Sequence, residues 1–270
     1  MTMTKLRALV VDDDEEIVHF DRWSLADARQ STPHSEVPLR YELTTFVCEG
    51  EFAKGLDRIL SAYLRNLAKP EQPAVGASGF FGSGKTHLVK VLCSLWTDFR
   101  FPGGVTARGL VLKLPNAIRD GLKELATAGK RNGGLHAAIG RLGGGSTGGG
   151  VKDSIRLALL GIVFRSAGLP EHYPAARFVM WLRDEGLFDK VRGHIEKAGR
   201  DFTKELHHLY VPSALAKAAL KAQFGTQEGI SNQDMVTAVR SALSVDGKFP
   251  CTLIVFDEVQ QFIGDNSDRT

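Results

Sequence analysis

Gly79-Phe80-Phe81-Gly82-Ser83-Gly84-Lys85-Thr86 is the stretch around which this 270-residue sequence organises itself. It fits G-x-x-x-x-G-K-[ST] at every position, the pattern of a phosphate-binding loop set between a strand and a helix. The glycines let the backbone curl until successive N–H groups point at phosphate oxygens, with the positive end of the following helix behind them. Lys85 reaches the β- and γ-phosphates as a compact, mobile charge. The Thr86 hydroxyl suits a Mg²⁺ ion that keeps most of its water shell and bridges the phosphates. Gly79, Phe80, Phe81, Gly82, Ser83, Gly84, Lys85 and Thr86 are therefore the expected nucleotide contacts. The context agrees: residues 73–78 read as a short strand, and Leu88, Val91, Leu92 and Leu95 fall on one face of a helix.

A second signal lies far downstream. Cys251-Thr252-Leu253-Ile254-Val255-Phe256 is an apolar run of strand length, as expected of a strand buried on both sides of a parallel sheet. It ends in Asp257-Glu258. A carboxylate at the tip of such a strand can hold the Mg²⁺ water shell, the Walker-B role, which falls to Asp257. Glu258, next in line, is placed to polarise a water toward the γ-phosphate as general base. An adjacent Asp and Glu point to a hydrolysing or remodelling ATPase, not to a GTPase or small-molecule kinase. Gln260 and Gln261 follow; they could orient water or sense the γ-phosphate, but polar residues after a strand read first as solvated.

Working outward from the two motifs gives the organisation of the chain. Residues 1–70 read as an acidic α/β segment. It opens with the strand-like Leu6-Arg7-Ala8-Leu9-Val10-Val11 and crosses a polar loop from Ala28 to Pro38. It ends in an amphipathic helix over 51–67, marked by Phe52, Leu56, Ile59, Leu60, Tyr63, Leu64 and Leu67. Residues 71–270 read as a P-loop ATPase core, an α/β fold whose parallel sheet carries helices on both faces. Leu110-Val111-Leu112-Lys113-Leu114, stopped by Pro115, is expected to be a strand. Residues 133–150 contain nine glycines in eighteen positions and read as a flexible loop. Asp257 lies 172 positions after Lys85, so most of 151–245 is expected to be a helix-rich insertion. Twelve residues follow Glu258, whereas each further βα unit takes ~30. The core thus reads as incomplete at its C-terminus, without sensor or arginine finger, and the chain as a fragment of a longer ATPase.

Composition sets the outer bounds. The chain has 34 Lys and Arg against 31 Asp and Glu, a net charge of +3, which excludes a strongly basic nucleic-acid-binding tail as the whole function. Residues 1–60 carry 7 basic and 12 acidic side chains and residues 101–150 carry 7 and 2, the latter scattered as on a solvated surface. Three widely spaced cysteines, Cys48, Cys93 and Cys251, exclude a disulfide framework or cysteine-rich zinc site and fit a reducing, cytoplasmic setting. No apolar run approaches a membrane span. The eight histidines, His207-His208 included, show no metal-ligand spacing. Leu9-Val10-Val11-Asp12-Asp13-Asp14-Glu15 looks like the opening of a response-regulator receiver. However, the interval to Gly79 is half a receiver long and lacks a strand ending in a phosphoacceptor Asp.

The extended run Ala77-Ser78-Gly79-Phe80-Phe81-Gly82-Ser83-Gly84-Lys85-Thr86-His87-Leu88 resembles the phosphate loop of the large P-loop ATPase of BREX phage-exclusion systems, the BrxC/PglY-like proteins. Tyr41-Glu42-Leu43-Thr44-Thr45-Phe46-Val47 with the helix 51–67 is similar to the elements preceding that loop. So is the long helical interval before Val255-Phe256-Asp257-Glu258-Val259. The resemblance covers the two ends better than the Gly-rich middle, and family members are several times longer. It implies ATP- and Mg²⁺-dependent work within a multi-subunit cytoplasmic defence complex that acts on DNA. Gly79, Gly84, Lys85 and Thr86 would then be nucleotide contacts, and Asp257 and Glu258 the Mg²⁺ and hydrolysis positions. The motifs alone also admit an AAA+ or STAND-type regulatory ATPase outside phage defence. They admit equally a nucleotide-gated binding module without turnover.

Overall fold

Leu39 and Leu43, buried one helical turn apart, seed the first element of the computed structural model, which describes residues 33–69, 72–77, 84–141, 155–202, 204–206 and 230–257. The chain forms two compact units whose described parts are 33–125 and 126–257, the division falling inside a helix between Leu125 and Ala126. The architecture is mixed α/β, mostly helical, with a two-stranded parallel sheet among the described residues. Among them, no helix is long and apolar enough to cross a membrane.

The first unit holds α1 (Pro33–Thr45), α2 (Gly50–Asn66), α3 (Lys85–Thr97), α4 (Ala107–Leu110) and the start of α5 (Asn116–Arg131). The spacing that predicts α2 and α3 is realised within a residue or two. α3 is the centre of the unit. Leu88, Val91, Leu92, Leu95 and Trp96 are all buried, each worth about 1.5–3 kcal/mol of transfer free energy for a full side chain. Its one buried hydroxyl, Ser94 Oγ, donates to Lys90 O at 2.9 Å, so burial leaves no orphan donor there. Tyr63 of α2 meets Trp96 edge-on, ring centroids 4.6 Å apart.

Three expectations fail in this unit. The loop expected from Ala28 to Pro38 is helical from Pro33 onward, Pro33 standing at the first helical position where a missing N–H costs nothing. The strand expected at 73–78 is absent over 73–77, where Pro73 has no N–H to give a ladder and Val75 is 48% exposed. The strand expected at 110–114 is instead the end of α4 and a turn. Thr106 Oγ1 accepts from Gly109 N at 3.3 Å and Val111 N donates to Ala107 O at 3.3 Å, which commits the backbone to helix. Val111 and Leu114 are buried while Leu112 is 81% exposed, a turn-like rather than alternating pattern.

The second unit begins with the end of α5 and continues through β1 (Leu135–Arg141), α6 (Ile155–Ser166), α7 (Tyr173–Asp184), α8 (Phe188–Lys197), α9 (Asn232–Leu243) and β2 (Cys251–Asp257). β1 and β2 pair in parallel, in register from Leu135 opposite Cys251 to Arg141 opposite Asp257. Ala138, Ile254 and Phe256 line one face of this pair and pack on Ile162 and Val163 of α6 and Leu243 of α9. Leu160 and Phe164, on the far side of α6, gather Val179 of α7 and Ala238 of α9 into a second cluster. Arg156 of α6 ties the start of α9, its Nε donating to Asn232 Oδ1 at 2.8 Å and its guanidinium to Ile230 O at 3.0 Å.

Two expectations change in this unit. β1 occupies 135–141, inside the stretch expected to be a flexible glycine loop. Gly140 is the physical reason, because a Cβ at that position would lie 2.7 Å from Ile162 Cγ1. That glycine serves a close helix–strand approach, not flexibility. β2 is a parallel strand as expected, but only Cys251 is fully buried and residues 252–257 are partly exposed. The helical reading of 151–245 holds for α6, α7, α8 and α9. Leu6–Val11, the acidic run 12–16, His207, His208, Gln260 and Gln261 lie outside the described residues. All three cysteines are free and buried, and burial pushes the Cys93 thiol up to about 12.

Candidate functional site

Gly84 is the joint between the phosphate-loop motif and α3. It adopts the left-handed conformation, φ 83° and ψ 14°, which a residue with a side chain reaches only at a cost. It is also a tight spot, since a Cβ there would lie 3.1 Å from the ring of Phe52. Lys85 and Thr86 are the first two residues of α3. The helical ladder starts with Leu88 N donating to Gly84 O at 2.9 Å, so the N–H groups of Lys85, Thr86 and His87 precede it at the positive end of the helix. A left-handed glycine, a lysine and a hydroxyl at one such terminus suit a polyphosphate with its divalent ion.

The remaining motif residues divide as follows. Gly79, Phe80, Phe81, Gly82, Ser83 and Glu258 lie outside the described residues. Asp257, in the second unit, is the last residue of β2 and stands in register with Arg141 at the end of β1. Both residues are at the carboxyl ends of parallel strands, where ligands of open α/β sheets collect. Among the described residues no group of three or more His, Cys, Asp or Glu could hold a metal ion. A Mg²⁺ ion bound through phosphates and water needs only one or two protein oxygens, and the Thr86 hydroxyl at the start of α3 is an oxygen of the right hardness.

Sequence reasoning gave no role to the side chains packed behind the first turn of α3. His87 lies against Phe46, centroids 5.5 Å apart, and Phe46 lies 6.1 Å from Phe52. In the sequence Phe52 reads only as part of the apolar face of the helix 51–67, and Phe46 only as part of the run 41–47. Nothing in the local pattern reveals that they meet α3 from an upstream segment.

A second unforeseen pair sits in the other unit. His136 Nε2 and Ser166 Oγ are 2.8 Å apart, the dimension of a nucleophile–base pair. Ser166 Oγ, however, donates to Val163 O at 2.7 Å and so accepts from the imidazole. Its proton is committed to a backbone carbonyl, and the pair ties β1 to α6.

Comparison of the chain with models of protein families, with curated proteins and with solved structures found no match.

Proposed function

We propose that this chain is the ATP-binding part of a P-loop ATPase with a helix-rich insertion between its two motifs. The observation that carries the reading is the terminus of α3, where left-handed Gly84 is followed at once by Lys85 and Thr86. In this reading the Lys85 ammonium would hold the β- and γ-phosphates, and the Thr86 hydroxyl and the Asp257 carboxylate are the groups that would hold Mg²⁺ and its water shell. Glu258 takes a proton from the attacking water. Mg²⁺, when bound, neutralises charge on the phosphates. The resemblance of the run 77–88 to BREX ATPases extends the proposal to a cytoplasmic, DNA-directed phage-defence complex, with other subunits of that complex as partners.

Turnover separates this reading from a nucleotide-gated module without hydrolysis. Steady-state ATP hydrolysis by a protein carrying the whole chain is expected to vanish in Glu258→Gln while ATP binding persists. Unchanged turnover in that variant removes Glu258 from the mechanism. Unimpaired protection against phage in a host whose intact system carries Lys85→Ala removes the defence assignment.

A further inference from the structure

One cluster beside the phosphate-loop helix has no part in the nucleotide contacts described above. Glu42 of α1 sends its carboxylate between two side chains of α3, with Oε2 3.8 Å from His87 Nδ1 and Oε1 3.9 Å from Lys90 Nζ. The Glu42 side chain is only 19% exposed. Its Oε2 atom is buried and, among the described residues, has no hydrogen-bond partner. Both ion-pair separations exceed hydrogen-bond length. A buried carboxylate held in this way loses hydration that its neighbours only partly restore. The same neighbourhood carries the aromatic packing of His87 on Phe46, of Phe46 beside Phe52, and of Phe52 over Gly84. Glu42, Phe46 and Phe52 all precede the loop in sequence, and together they bear on Gly84 and the first two turns of α3.

We infer that Glu42 is a positioning residue for the nucleotide site, holding His87 and Lys90 so that α1 and the start of α3 move as one body. The inference rests on the nucleotide-binding role of Lys85 and Thr86. Fixing the start of α3 around a polyphosphate then brings His87 and Lys90 closer to the carboxylate and completes its contacts. Binding at the loop and seating of α1 share one coupling free energy, which acts equally in both directions. Nucleotide tightens α1, and loosening α1 weakens nucleotide binding. The sign of the effect is diagnostic. A carboxylate that acted only as a nearby negative charge would repel the triphosphate, so its neutralisation would strengthen binding. A positioning carboxylate gives the opposite result.

The test uses the full chain, calorimetric titration with Mg-ATP, and hydrogen exchange of the amides of 39–45 with and without Mg-ATP. In the unsubstituted protein those amides are expected to gain protection when nucleotide binds. Glu42→Gln keeps the size of the side chain and removes its charge. It is expected to weaken Mg-ATP binding by about three- to tenfold and to abolish the gain in protection. Equal or tighter binding by Glu42→Gln overturns the inference alone. So does protection of 39–45 that ignores nucleotide in the unsubstituted protein, a measurement that serves even where the variant does not fold. Absence of Mg-ATP binding by the unsubstituted protein overturns both this inference and the nucleotide reading beneath it.

Discussion

Arg108 Nε donates to the carbonyl oxygen of Leu95 at 2.8 Å, inside the last turn of α3. The same guanidinium reaches Trp96 O at 3.1 Å and Leu122 O of α5 at 2.9 Å. The Arg108 backbone N–H donates to Asp98 Oδ1 at 3.1 Å, and Asp98 itself is the left-handed residue that ends α3. One side chain thus adds donors to two carbonyls in the last turn of α3 and to one of α5, and joins the two helices. Burial lowers the guanidinium pKa, and the nearby Asp98 charge partly offsets that.

Arg108→Ala is expected to destabilise the first unit by about 3 kcal/mol, since it removes three charge-assisted hydrogen bonds to partly buried carbonyls. Arg108→Lys should recover less than half of this, because an ammonium cannot span three carbonyls in the plane of a fork. Denaturant unfolding of both variants checks the order. Equal stability of Arg108→Lys and the parent would show that charge, not the fork, matters.

Gly140 and Ile162 should behave as a coupled pair. A methyl group at 140 would lie 2.7 Å from Ile162 Cγ1, so Gly140→Ala is expected to cost about 1–3 kcal/mol. Ile162→Ala removes the obstructing atoms at its own cost of about 2–5 kcal/mol. The double variant is expected to lose less than the sum of the single losses by about 1 kcal/mol or more. Strict additivity, measured by unfolding of all four proteins, would separate β1 from α6.

Ser231 and Asp234 form a capping box at the start of α9. Asp234 N donates to Ser231 Oγ at 3.1 Å, and the Asp234 carboxylate accepts from the Ser231 hydroxyl at 2.6 Å and from its N–H at 3.2 Å. The Ser231 hydroxyl, then its backbone N–H, holds the Asp234 carboxyl below its usual range. A depressed folded pKa stabilises the folded state fully above the unfolded value of about 3.9 and loses that effect as pH falls through the folded value. Ser231→Ala is expected to lower stability near neutral pH by about 1 kcal/mol and to flatten its dependence below about pH 4. An unchanged acid limb in that variant would dissociate Asp234 from the cap.

What the sequence made legible follows the range of the interactions involved. α2 and α3 were legible because Leu56, Leu60, Leu88, Val91 and Leu92 repeat at the helical period and are buried as that period requires. β2 was legible as an apolar run ending in acid. β1 was not, because Gly140 owes its identity to Ile162, twenty-two residues downstream, and reads locally as disorder. The end of α4 is not legible locally, because a Thr106 cap outweighs the strand propensity of Leu110 to Leu114. At the candidate site, Lys85 and Thr86 were plain from the motif. Glu42 was not, since nothing in its local pattern marks a carboxylate that meets α3 forty-odd residues later.

The most direct test of the central claim is calorimetric titration of the full chain and its Lys85→Ala variant with Mg-ATP. The account expects saturable, one-to-one binding that weakens at least about tenfold in the variant, a loss of ~1.4 kcal/mol or more. The nucleotide-free unfolding midpoint should be unchanged. Equal affinity of the two proteins, or no binding by the unsubstituted chain, would contradict it.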